Sequence, residues 1–108
     1  MELALGYLIY NTDRLRIDFE DRTLAHLRPV ISTKLRRHEP FFFCWSTDAS
    51  VGGGRGAIWL SSAIPLFFHF ESSERQAINR AWIEQLARAA DSTTGLVLMP
   101  EPDVQPVD

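Results

Sequence analysis

Residues Gly52 to Ala57 read G-G-G-R-G-A, which satisfies the glycine spacing of a dinucleotide-binding fingerprint, G-x-G-x-x-A. In that fingerprint the glycines let the backbone approach a pyrophosphate and lead into a helix whose first amides hold it. Here Ile58, Trp59 and Leu60 follow, and Pro65 closes the segment, so too few residues remain for a helix. No G-K-[ST] follows the glycines either, which excludes a Walker loop. The stretch Asp48 to Gly56 therefore predicts a turn between two antiparallel strands, with glycines supplying positive φ. Arg55, at its tip, stands as a candidate contact for an anion or a partner.

A second group with chemical potential is basic. Arg28, Lys34, Arg36, Arg37 and His38 gather on and after one helical segment, where cations are favoured by the helix dipole. A solvated helix end accounts for most of them. The functional alternative is phosphate contact by Lys34, Arg36, Arg37 and Arg55, with Trp45 or Trp59 stacking on bases. The three histidines, His26, His38 and His69, fall in different elements without a metal-ligand spacing. Asp18, Glu20 and Asp21 read as surface charges for Arg14, Arg16 or the basic helix end. No serine lies in G-x-S-x-G, and no nucleophile, base and orienting acid can be named together. The sequence thus offers no catalytic, cofactor or metal site. An enzyme of unrecognised type would need His69, Glu71 and Asp18 to converge in a concave pocket.

The elements that would position these residues follow from periodicity. Leu3 to Tyr10 is apolar and rich in strand formers. Asn11-Thr12-Asp13 supplies turn chemistry, and Leu15, Ile17 and Phe19 then alternate with polar residues, which predicts a hairpin. Asp21 is the expected cap of a helix to about Arg37 with its apolar stripe at Leu24, Leu27, Ile31 and Leu35. Pro29 lies inside that stripe and predicts a kink or split near Ala25 to Arg28. Phe41 to Ser46 is apolar on both faces, as in a central strand. Ala57 to Ser61 and Leu66 to Glu71 are further strands. Ser72 or Ser73 is the expected cap of a second helix with Ile78, Trp82, Ile83, Leu86 and Ala90 on one stripe. Thr94-Gly95 stops it, and Leu96 to Met99 is a last strand.

The order β-β-α-β-β-β-α-β predicts an α+β fold: a mainly antiparallel sheet of five to six strands with two helices sharing one face. With 108 residues, 45% hydrophobic and 23% charged, the chain suits one globular domain at residues 1-100, and 101-108 reads as a disordered tail. The apolar runs are too short to cross a membrane, and Glu2 replaces the basic start of a signal peptide. A soluble, cytoplasmic protein is expected. The single cysteine, Cys44, excludes an intrachain disulfide and reads as a small core residue. A net charge of -3 disfavours a wholly electrostatic nucleic-acid binder and leaves room for a local basic patch.

IDFEDRTLAHL, STKLRR, GGGRGAIWL, INRAWIEQLARAADSTTGL and MPEP together resemble a family of small uncharacterised actinobacterial proteins, over Gly6 to about Pro102. Pro29 departs from the pattern expected of that family. Some of its members have been described as ATP-dependent DNA ligases. The residues speak against that description, because a nucleotidyl-transferring ligase needs a lysine in K-x-D-G and the one lysine here lies in Lys34-Leu35-Arg36-Arg37. The chain is also too short for a nucleotidyltransferase domain with its nucleic-acid-binding partner.

Taken together, these features point to a non-catalytic interaction module, either a homodimer or the partner of another protein. A nucleic-acid-binding protein using the basic helix end is the alternative.

Overall fold

In the computed structural model, residues 4–12, 15–47 and 53–103 are described. Six strands and two helices follow the expected order: β1 (Leu5–Tyr10), β2 (Leu15–Glu20), α1 (Asp21–Arg36), β3 (Phe41–Ser46), β4 (Arg55–Leu60), β5 (Leu66–His69), α2 (Arg80–Ala90) and β6 (Leu96–Val97). The fold is α+β. Its strands divide between two three-stranded sheets, β2-β1-β5 and β4-β3-β6, where one sheet had been expected.

Local sequence explains both hairpins. β1 pairs antiparallel with β2 from Leu5↔Glu20 to Tyr10↔Leu15, and Asn11 enters the turn at φ 58°, a conformation asparagine tolerates better than most residues. The alternation of β2 then sends Ile17 and Phe19 into the core. β3 and β4 pair from Phe41↔Leu60 to Ser46↔Arg55. Gly53 and Gly54 have φ of 69° and 110°, and the Thr47 amide donates to the Gly54 carbonyl at 2.9 Å. Arg55 therefore begins a strand, so the glycine-rich stretch is the connection of a hairpin rather than the start of a helix. Residues 48–52 of that connection lie outside the described residues.

Long-range pairing completes the sheets. β5 lies antiparallel along β1, from Tyr7↔His69 to Tyr10↔Leu66. β6 lies parallel to β3, so β3 is central, as its two apolar faces suggested. β6 is shorter than expected, although the Leu98 amide still reaches the Cys44 carbonyl at 2.9 Å.

Each helix covers a different sheet. α1 packs on β1 and β2, α2 packs on β3 and β6, and the two helices pack on each other. A shared sheet face for both helices is not what forms, because the second sheet gives α2 its own surface to cover. One core results, with Leu8, Leu24, Leu27, Ile31, Phe43, Leu60, Leu86 and Leu96 all essentially inaccessible.

Two helix caps differ from expectation for identifiable reasons, and the expected split of α1 does not occur. α1 is one unsplit helix despite Pro29, its apolar stripe being buried on both sides of the proline at Leu27 and Val30. Asp21 does not cap it. The Asp21 carboxylate is instead turned to another segment, accepting from the amides of Glu71 and Ser72 at 2.9 Å each. Ser72 does not cap α2 either, because its hydroxyl accepts from the Glu74 amide in a local turn. The cap of α2 is Asn79, whose side chain accepts from the Ala81 amide at 3.1 Å. Ile78 consequently lies before the helix and is exposed.

Candidate interaction surface

The outer face of β4-β3-β6 carries side chains that the core does not use. Strand alternation puts Phe41 and Phe43 inward and leaves Phe42 outward, opposite Trp59 on β4. The two rings meet edge to face with centroids 5.0 Å apart, and they are 49% and 44% exposed. Val97 on β6, paired beside Cys44, is equally open at 49%. Ala57 sits across from Cys44 on the other side. This cross-strand row is apolar along its length, and the exposed Arg55, two residues before Ala57 on the same face of β4, bounds it. Clustered exposed aromatics of this kind mark association surfaces more often than scattered apolar residues do.

A partly buried polar network fixes the chain segment that leads into α2. The guanidinium of Arg22 on α1 donates twice to Glu101, Nε to Oε1 and Nη2 to Oε2, at 2.6 Å each. Asn79 Nδ2 donates to the same carboxylate and to the Pro102 carbonyl at 2.9 Å. His26, fully buried, closes the network. Its Nδ1 lies 2.7 Å from the Arg22 carbonyl, and a carbonyl can only accept, so Nδ1 carries the proton. Nε2 is then free to accept the Asn79 amide at 2.8 Å. The Arg22 side chain holds the Glu101 carboxyl down to about 2, and that carboxylate raises Arg22 in return. None of these partners was legible in sequence. Arg22-x-x-x-His26 matches no motif, and Glu101 lies 79 residues from Arg22.

The candidate cations do not form one patch. Lys34 Nζ lies 2.9 Å from Asp91 and 3.0 Å from Glu39, with most of its side chain covered, and the hydrogen bond to Asp91 raises its pKa above the ordinary lysine value. Its charge serves the junction of α1 and α2. Arg37 is exposed on that same side, where it lines a hollow with Lys34, Ile83, Ala87 and Asp91. Arg36 is exposed on the other side of α1, beside Arg28, Leu66 and Phe68. Arg55 is exposed at the start of β4. Trp45, one of the two proposed stacking platforms, is partly buried against Phe19 and Phe43. Trp59 alone of the two is outward.

His69, Glu71 and Asp18 do not converge in a pocket. Asp18 and His69 flank Tyr7 from β2 and β5, His69 stacks on the Tyr7 ring at 4.6 Å, and His69 Nε2 lies 3.5 Å from Glu71. Arg16 covers the Tyr7 ring at 3.9 Å and pairs with Asp18. The row stands on an open sheet face. The hollow that Asp18 lines is shared with Phe19, Arg22 and Glu101, not with His69 or Glu71.

A family model described as a domain of unknown function (DUF7882) matches residues 5–101. The chain belongs to this family. No curated protein and no solved structure matches the chain. The matched span reaches from β1 to Glu101, so both sheets, both helices and the Arg22–Glu101 closure lie within the DUF7882 domain. No helix is long and apolar enough to cross a membrane among the described residues.

Proposed function

We propose that this DUF7882 domain is a non-catalytic interaction module of the cytoplasm that pairs with a second copy of itself through the outer face of β4-β3-β6. The observation that carries the reading is the exposed pair Phe42 and Trp59, continued by Val97 on the other edge of the sheet. Tryptophan and phenylalanine give large buried area for little conformational entropy, and they dominate the binding energy of interfaces that use them. An apolar row can meet its own image across a two-fold axis, with Arg55 at the end of the same face of β4, beyond Ala57. Nothing in the row needs a different partner to satisfy it.

Nucleic-acid contact by Lys34, Arg36, Arg37 and Arg55 is the weaker reading, because the charge of Lys34 is already spent on Asp91 and Glu39. The test is sedimentation equilibrium of the wild-type chain and of Phe42→Glu. A dimer that becomes a folded monomer on Phe42→Glu supports the reading. A wild-type chain that stays monomeric across the concentration range removes it.

A further inference from the structure

Two adjoining hollows of about 420 and 630 Å³, lined by none of Phe42, Trp59 and Val97, share Arg28 and Ser32 on α1. Together they form a groove between α1, β5 and the segment leading to α2. Its apolar lining is Ile31, Leu35, Leu66 and Phe68 in the first hollow and Phe70 and the exposed Ile78 in the second, alongside serines in both. Its rim is basic. Arg28 and Arg36 stand about two helical turns apart on α1 and line the first hollow, and Arg75, from the segment before α2, lines the second with Arg28. All three are exposed, and none has a carboxylate partner among the described residues, whereas Arg16, Arg22 and Lys34 are paired. Glu74 is the one acidic side chain among the lining residues.

We propose that this groove receives a short acidic, amphipathic peptide segment of another protein. Carboxylates on such a segment would meet Arg28, Arg36 and Arg75, and its apolar side chains would cover the apolar lining. Three arginines against one glutamate set the sign of the ligand, and the aliphatic and aromatic lining sets its amphipathic character. The groove is open along its length, which suits a chain laid across it better than a small molecule, since small ligands are mostly enclosed. Nucleic acid is the less favoured occupant, because the apolar lining is mostly aliphatic, with only Phe68 and Phe70 to stack on bases.

The surface is separate from the Phe42–Trp59 face, so the two readings fail independently. The probe is a fluorescein-labelled peptide alternating Asp and Glu with Leu and Phe, titrated by anisotropy against the full chain. Binding that weakens about tenfold or more in the double variant Arg28→Glu, Arg75→Glu supports the proposal, provided that Arg88→Glu on the outer face of α2 binds as wild type. Circular dichroism establishes that each variant is folded. A peptide with Ser in place of Leu and Phe should lose binding, and if it binds as well as its parent the amphipathic claim is overturned. No binding, or binding indifferent to Arg28 and Arg75, overturns the proposal. So does an oligothymidine strand that binds these arginines more tightly than the peptide, which would reassign the groove to nucleic acid.

Discussion

Arg22 and Glu101 hold each other in a two-point ion pair across 79 residues of sequence, and this pair ties the segment after β6 to the first turns of α1. Because Asn79 donates to the same carboxylate, the start of α2 hangs on the pair as well. Replacing Glu101 by Gln keeps the shape and removes the charge. The expected cost is about 1–2 kcal/mol, the scale of a charged hydrogen bond in a partly covered site, read as a lower midpoint in urea.

The same pair sets a pH dependence. The Glu101 carboxyl is depressed from 4.5 to about 2 by Arg22, so the unfolded chain takes up a proton before the folded one does. Its stabilisation is complete above pH 4.5 and is lost as pH falls from there toward about 2. Thermal unfolding followed at intervals through that window should show a fall in midpoint that is smaller in Glu101→Gln. An equal fall in both proteins would mean that other groups govern the acid limb.

His26 is expected to be needed for its two nitrogens rather than its bulk. His26→Leu fills the site but leaves the Asn79 amide buried without an acceptor, since Nε2 supplies that acceptor. A loss of about 2–3 kcal/mol follows. Hydrogen exchange at the Asn79 amide should rise above that of the neighbouring α2 amides, and unchanged protection would show that the imidazole is not its anchor.

Gly6 is required where β1, β5 and α1 converge. A Cβ there runs into the His69 carbonyl oxygen and lies 2.8 Å from the Asp21 carboxylate. Gly6→Ala must therefore push β5 from β1 or displace the Asp21 contacts to Glu71 and Ser72. Overpacking of this kind costs about 1–3 kcal/mol. Ile9 and Phe67 lie opposite each other in the pairing, so weakened cross-strand NMR contacts between them would locate the damage.

Pro29 sits exposed in the middle of α1 and cannot donate to the preceding turn. Since the helix is already continuous, Pro29→Ala restores a donor without altering the buried stripe. The gain should be about 1–3 kcal/mol, up to the propensity difference between the two residues, seen as a higher melting temperature.

Much of the fold was legible because it is local. The Asn11 turn, the alternation of Ile17 and Phe19, the stripe of Leu24, Leu27 and Ile31, and the glycines before Arg55 each constrain a few neighbouring residues. Element type and order follow from such short-range rules. Boundaries followed less well wherever a side chain had a choice of partner. Asp21 and Ser72 both have capping chemistry, yet Asp21 binds amides 50 and 51 residues away, and Ser72 closes a local turn while Asn79 caps α2.

Sequence by itself determined the α+β class, the order of elements and the turn nature of the glycine-rich stretch, because hydrophobic period and backbone propensity act over a few residues. Only the tertiary structure decided that the strands form two sheets, that Lys34 is neutralised by Asp91 and Glu39, and that Phe42, Trp59 and Val97 share one uncovered face. It also decided that Arg28, Arg36 and Arg75 line one groove. Those outcomes depend on which distant elements meet, and charge pairing and burial are properties of that meeting rather than of any residue's own neighbours in the chain.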